Sequence, residues 1–101
     1  MRNAKVATII VTWNKLHDVC SVIEDITNLE DLQTIQLDIY VVDNASTDGT
    51  QAYLEQYHPQ VKVLQTGSNL GGSGGFSYGL QVLSQLEYDY LWLLDLSLIH
   101  I

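Results

Sequence analysis

Ile39–Thr50 reads IYVVDNASTDGT, and the change of character at Asp43 decides the fold. Ile39 to Val42 form an apolar run with no polar alternation, the pattern of a strand covered on both faces. Asn, Asp, Ser, Thr and Gly then crowd into residues 43–50, and these types favour turns and caps over regular structure. The strand therefore stops at Asp43. Ser46 or Thr47 is the expected cap of a short helix with Asp48 in its positive first turn. That helix ends before Pro59, because a residue preceding proline avoids the helical region.

Working outward, the same alternation continues on both sides. Upstream, KVATIIVT (5–12) is a β-branched run that reads as a buried parallel strand. Asn14 is the expected N-cap of a helix reaching about residue 28, since Leu16, Val19, Cys20, Ile23 and Ile26 recur at the three- and four-residue spacing of one helix face. Downstream, VKVLQ (61–65) is a third strand. TGSNLGGSGG (66–75) then concentrates five of the seven glycines, more than one turn requires and suited to backbone passing close to a ligand or another element. Phe76, Leu80, Leu83 and Leu86 mark another helical face, and YDYLWLLDL (88–96) reads as strand four, with Trp92 expected in the core. The fold class this predicts is α/β: a Rossmann-like, mostly parallel sheet of about four strands with helices on both faces. The chain closes on LSLIHI straight after strand four. Residues 1–95 therefore read as one α/β part and 96–101 as a non-native or truncated tail.

Composition narrows the function. With 101 residues and 47% hydrophobic content the chain can bury one core. Four basic against twelve acidic residues leave a net charge of −8, which disfavours a hold on a nucleic-acid backbone. The acidic balance also argues against direct adhesion to anionic lipid. A single cysteine, Cys20, permits no intramolecular disulfide, so a reducing, cytoplasmic setting is the default. No apolar run approaches the roughly 20 residues that span a bilayer, and the amino terminus lacks the cleavage pattern of a signal peptide.

In an open parallel α/β sheet, ligands bind outside the carboxyl ends of the strands. Thr12, Trp13 and Asn14 follow strand one, Asp43 to Thr50 follow strand two, the glycine-rich loop follows strand three, and Asp95 ends strand four. Asp43, Ser46 and Asp48 have a plain structural reading as a turn leading into a helix. Their functional reading is a strand-end carboxylate that accepts hydrogen bonds from a base or ribose. Asp95 is either a solvated strand end or an oxygen ligand for a divalent cation that bridges phosphates. The glycine loop is not a dinucleotide fingerprint, because Ser77 stands where the third glycine belongs, and with no lysine after Lys62 it is not a Walker loop. His17, His58 and His100 share no metal-like spacing, and Cys20 falls on the apolar stripe of the first helix. Trp13 is either a base-stacking platform or a lid on that helix. A receiver domain with Asp43 as phosphoacceptor would share the sheet, but a paired acidic cluster after strand one and a suitable lysine are missing.

Taken together, VATIIVTWNK (6–15), IYVVDNASTDGT (39–50), NLGGSGGFSYGL (69–80) and YDYLWLLD (88–95) resemble the start of a family 2 glycosyltransferase with the GT-A fold. The glycine-rich NLGGSGGF version is most similar to the bacterial rhamnosyl- and galactofuranosyl-transferase branch. The resemblance implies a UDP- or dTDP-linked sugar donor, a glycan or lipid-linked acceptor in bacterial surface polysaccharide, and inversion at the anomeric carbon. It also implies a parent at the cytoplasmic side, peripheral to the inner face of the membrane. By position, Thr12 and Trp13 would line the nucleoside pocket and Asp43 would accept from the base or ribose, with Asn14, Asn44, Ser46 and Asp48 as further substrate-binding residues. Asn69, Gly71 and Gly72 would shape the wall beside the donor. Asp95 matches the first acid of the family's metal motif, which holds Mg2+ or Mn2+. Many members carry an Ala-Arg-Asn sequence where Gly75, Phe76 and Ser77 stand, so no arginine contact is implied. Further aspartates after the first are also missing, which implies that these 101 residues alone are inactive. The alternative is a non-catalytic nucleotide-binding or protein-interaction module. Apolar residues of the last strand and tail, Leu91, Leu93, Leu96, Leu98 and Ile99, would leave an open edge that favours a homo-oligomer.

Overall fold

The computed structural model describes residues 4–29 and 35–96. Its elements run β1 (Ala4–Thr12), α1 (Leu16–Leu29), β2 (Ile35–Asp43), α2 (Thr50–Tyr57), β3 (Lys62–Gln65), α3 (Gly71–Leu83) and β4 (Tyr90–Asp95). The four strands form one sheet in the order β3-β2-β1-β4, every pairing parallel. The expected Rossmann-like α/β architecture is therefore what the chain adopts. Leu98, Ile99 and His100 lie outside the described residues.

Period-two alternation along the strands sorts the core into two layers. Ile10, Ile39 and Val41 pack with Val19, Ile23 and Ile26 of α1 and Leu54 of α2. On the opposite face Ala7, Ile9, Val11, Tyr40 and Val42 pack with Leu83 of α3. Such a division follows from crossovers of one hand: β1 to β2 to β3 steps outward in one direction, and β3 to β4 returns past β1 in the other. The direction reverses between β1 and β4, which is the topological switch point of the sheet.

Several local expectations give way to tertiary contacts. β2 starts at Ile35, because its polar first half is held in register by β1, from Ala4 against Ile35 onward. Asn14 does not cap α1; the first helical hydrogen bond runs from Val19 N–H to the Lys15 carbonyl. Neither Ser46 nor Thr47 caps α2, whose N-cap is Gly49 in the left-handed region at φ 79°. Trp92 is 42% exposed, not core, because β4 lies at the edge of the sheet, with β1 its one neighbouring strand among the described residues. Leu91 and Leu93 are each 44% exposed on the same strand, whereas Leu96 packs against the α1 layer.

The glycine-rich stretch also reads differently in three dimensions. Residues 71–75 form the first turns of α3 in spite of glycine's poor helix propensity. The reason is proximity to the sheet. A Cβ on Gly75 would stand 2.5 Å from Val11 Cγ1, and one on Gly79 would stand 3.1 Å from both Ile9 and Val42 side chains. Bare backbone lets α3 lie closer to β1 and β2 than a side chain would permit.

At the amino-terminal end of the sheet a polar group closes the α3 layer. Tyr88 donates to Asp38 Oδ2 (2.7 Å) and stands 2.7 Å from Tyr40 Oη, which in turn accepts from Lys62 Nζ (3.5 Å). Burial first, then the Tyr40 and Asp38 hydrogen bonds, push the Tyr88 phenol far above its ordinary pKa.

Overpacking a tight site costs about 1–3 kcal/mol, against a gain of about 1 kcal/mol from replacing glycine by alanine in a helix. Gly75→Ala is therefore expected to lose about 1–2 kcal/mol in urea unfolding, and Gly79→Ala to stay near the wild type. Equal stability of Gly75→Ala and the wild type would refute the close approach of α3.

Candidate functional site

Strand register brings the candidate residues to one edge. Thr12 of β1 pairs with Asp43 of β2, Asp43 pairs with Gln65 of β3, and Val11 pairs with Asp95 of β4. All four strands thus finish on nearly one line, and the loops after β1, β2 and β3 rise from it.

Three of the expected site residues form the floor of this edge. Thr12 and Asn44 have no exposed surface and Asp43 is 1% exposed. Asp43 Oδ1 accepts from Ser46 N–H (3.0 Å) and Oδ2 from Gln65 Nε2 (2.8 Å). Asn44 donates its backbone N–H to the Thr12 carbonyl (2.9 Å) and Nδ2 to the Gly71 carbonyl (3.0 Å), and accepts from Thr66 Oγ1 (3.0 Å). A carboxylate so enclosed supports the loops above it, with one hydrogen-bonded donor already on each oxygen. Hydrogen bonds to a charged group contribute about 1.5–3 kcal/mol each. Thr12 Oγ1 and Thr8 Oγ1 are buried without a hydrogen-bond partner among the described residues.

Above the floor, the loops after β1 and β2 interlock. Asn14 (φ 52°) and Ala45 (φ 64°) both occupy the left-handed region that non-glycine residues rarely adopt. Asn14 N–H donates to Ser46 Oγ (2.9 Å), and Asn14 Oδ1 accepts from Thr47 N–H (2.7 Å). Asp48 spans both helix starts: Oδ2 accepts from Leu16 N–H of α1 (3.1 Å), while Oδ1 accepts from the Thr50 N–H (3.2 Å) and from the Thr50 hydroxyl of α2. The carboxylate expected in the first turn of α2 thus lies just ahead of the helix and caps two helices together. Trp13 is half-buried beside this interlock.

The third wall is the loop after β3. Asn69 Oδ1 accepts from Gly71 N–H (3.0 Å), and Gly71 takes φ 72°, which only glycine adopts without strain. At Gly72 the missing side chain makes room for Asp95, because a Cβ there would stand 2.1 Å from Asp95 Oδ2. The Asp95 carboxylate lies against the first turn of α3, where the helix dipole is favourable to negative charge.

Other reactive side chains lie elsewhere. His17 and Cys20 line a cavity of about 360 Å3 with Leu16 and Tyr53, and His58 lines another of about 170 Å3 with Ile23 and Gln60. Burial, then the nearby Glu24 charge, pushes the Cys20 thiol up, as suits a packing residue. No group of three or more His, Cys, Asp or Glu side chains able to enclose a metal occurs among the described residues. Sequence reading passed over Gln65 and Gln51, whose amides join Asp43 to α2. Its one available signal was the place of Gln65 as the last residue of a strand at the ligand edge.

The glycosyl transferase family 2 model matches residues 7–98. No curated protein matches the chain. Among solved structures, the mannosyltransferase PcManGT from Pyrobaculum calidifontis, in complex with GDP-Man and Mn2+, is similar at 22% sequence identity and a TM-score of 0.61. The match covers 81% of this chain and 25% of that one, so the chain spans about a quarter of its neighbour's length.

Asp48→Ala removes the shared cap of α1 and α2. It is expected to cost about 1–2 kcal/mol and to speed hydrogen exchange at the Leu16 amide, with Asp48→Asn nearer the wild type. Unchanged Leu16 exchange in Asp48→Ala would show that the two helix starts are not coupled.

Proposed function

The chain belongs to glycosyl transferase family 2, and on that premise we propose that its strand-end edge is the donor site of an inverting transferase that uses a UDP- or dTDP-linked sugar. The observation that carries this reading is the alignment of Thr12, Asp43 and Gln65 at one register, with Asp95 one step away against Gly72. In the transfer, an acceptor hydroxyl gives its proton to a general base as its oxygen bonds to the anomeric carbon, and that carbon's bond to the diphosphate oxygen breaks with the electron pair leaving on the diphosphate. The acceptor is a glycan or lipid-linked sugar of bacterial surface polysaccharide. We place the reaction in the cytoplasm, with the whole protein peripheral to the inner membrane face. No described helix is long and apolar enough to cross a membrane.

The edge residues divide the work. Asn14, Ser46 and Asp48 hold the wall on the nucleoside side, and Trp13 offers a ring for a base to stack on. Asn69 shapes the turn that brings Gly71 and Gly72 beside the diphosphate, while Thr12, Asp43 and Asn44 carry the loops from below. Of the chain's four basic residues only Lys15 belongs to these loops, whereas Asp43, Asp48 and Asp95 all stand at the edge. A diphosphate meets net negative charge there, and a divalent cation offsets it. Mg2+ and Mn2+ are commonly held by one or two carboxylates together with substrate phosphates, so the single Asp95 fits a cation shared with the donor. Bound there, Mg2+ or Mn2+ neutralises charge on the diphosphate leaving group. The neighbour's complex with GDP-Man and Mn2+ supports this combination of ligand and metal.

Titration calorimetry of the chain with UDP, dTDP and GDP, with and without Mn2+, tests the reading. Mn2+ is expected to tighten the preferred nucleotide about tenfold, and Asp95→Asn to abolish that gain, a difference of about 1.4 kcal/mol. Affinity indifferent to Mn2+ would remove Asp95 from the metal role, and no binding of any of the three would sink the donor reading.

The exposed residues of β4, Tyr90 to Leu93, form an apolar open edge, the kind of strand that pairs with another chain. The chain is accordingly expected to be a homo-oligomer, and light scattering at tens of micromolar that returned an 11.3 kDa particle would contradict it.

A further inference from the structure

Gln65, which the donor-site reading leaves as a floor contact, has a hydrogen-bond pattern that gives it a sharper role within that same site. It ends β3 in register with Asp43 and is half-buried. A carboxamide has two N–H donors and one carbonyl acceptor. Both donors of Gln65 are committed, one to Asp43 Oδ2 (2.8 Å) and one to Gln51 Oε1 (2.7 Å). Gln51 is itself oriented, since its Nε2 donates to Glu55 Oε1 (2.9 Å) within α2. Among the described residues no donor reaches Gln65 Oε1.

This arrangement fixes which end of the amide a ligand can meet. Turning the Gln65 carboxamide over would set its oxygen against the Asp43 carboxylate and the Gln51 carbonyl, placing three acceptors together with no proton between them. The buried Asp43, already holding a donor on each oxygen, thus works through Gln65. What the pair leaves open at the edge is a carbonyl locked as an acceptor, unable to become a donor for a different ligand.

We propose that Gln65 is a specificity-determining residue, its Oε1 accepting the ring N–H of the donor's base. Uracil and thymine carry that proton at N3 and guanine carries it at N1, whereas cytosine N3 and adenine N1 present lone pairs. A locked acceptor attracts the first group and repels the second, so discrimination comes from a built-in mismatch as well as from an added bond. Asp43 and Gln51 are positioning residues for this carbonyl. The inference rests on the donor-site reading of the same edge.

The test compares UDP with CDP, which differ at the ring position Gln65 would read. Calorimetry on the full chain with Mn2+ is expected to give UDP binding at least about tenfold tighter than CDP. Gln65→Leu is expected to weaken UDP and bring the two nucleotides within about twofold of each other, and Gln51→Leu, which frees one Nε2 hydrogen, to give an intermediate ratio. A purely structural role for Gln65 would weaken both nucleotides alike and leave the ratio unchanged. Should Gln65→Leu fail to fold, the side-chain amide resonances of Gln65 in 15N-labelled wild type serve instead, moving with UDP and not with CDP. Equal affinities in the wild type, a ratio that survives Gln65→Leu, or amide resonances blind to UDP would each overturn this role while leaving the donor reading in place. Failure of UDP, dTDP and GDP all to bind would overturn both.

Discussion

Asn44 is the residue through which the ends of this sheet are made one object. Its backbone N–H reaches the end of β1, its amide nitrogen reaches Gly71 at the start of α3, and its amide oxygen takes the Thr66 hydroxyl after β3. Those partners are the end of β1 and the two ends of the β3–α3 connection, and the side chain that joins them has no contact with water. A buried amide with unmet hydrogen bonds is costly, so the end of β1 and the β3–α3 connection are held to positions that satisfy it. The bare Gly75 backbone completes the constraint, because an added Cβ there would stand 3.2 Å from Asn44 Nδ2. The polar and apolar requirements at this point are one requirement: α3 must come close, and only glycine lets it.

The architecture was legible because the signals that define it are local. β-Branched runs ending in Asn, Asp and Gly mark buried parallel strands, and the three- and four-residue spacing from Leu16 to Ile26 marks a helix, whatever the rest of the chain does. What local pattern could not reveal was decided by partners far away. The polar first half of β2 has little strand character of its own and is strand because β1 lies alongside. Five glycines within ten residues look like a loop, yet four of them lie in α3, which the bare Gly75 lets come close to the sheet. Trp92 has every property of a core residue except, among the described residues, a second strand beside its own.

At the candidate site, the strand-end placement of the residues was readable and the surroundings of each side chain were not. Strand ends of a parallel sheet are where ligands bind, so Thr12, Asp43, the glycine-rich loop and Asp95 could be nominated from topology. Whether a given side chain is presented or buried depends on how the loops close, and here they close through Asn14, Ser46, Thr47 and Asp48, contacts between residues 32 and 33 positions apart. Those contacts put Asp43 below and leave Gln65 beside it. A carboxylate in a strand-end motif draws attention in a sequence; a glutamine at the end of an ordinary strand does not, although it is the group with an acceptor to spare.

The central position of β1 has a consequence for how the chain reaches this state. β1 finds β2 within some thirty residues, but its other edge is closed only by β4, and Lys5 meets Asp89 across a separation of 84 positions. Pairings of such long range are slow, because the entropy of closing the intervening chain must be overcome before the contact rewards it. During synthesis β1 is therefore an open, strongly apolar edge until nearly all the described residues have emerged. The most buried strand of the folded sheet is the most exposed apolar segment of the emerging chain, the point at which non-native association would begin.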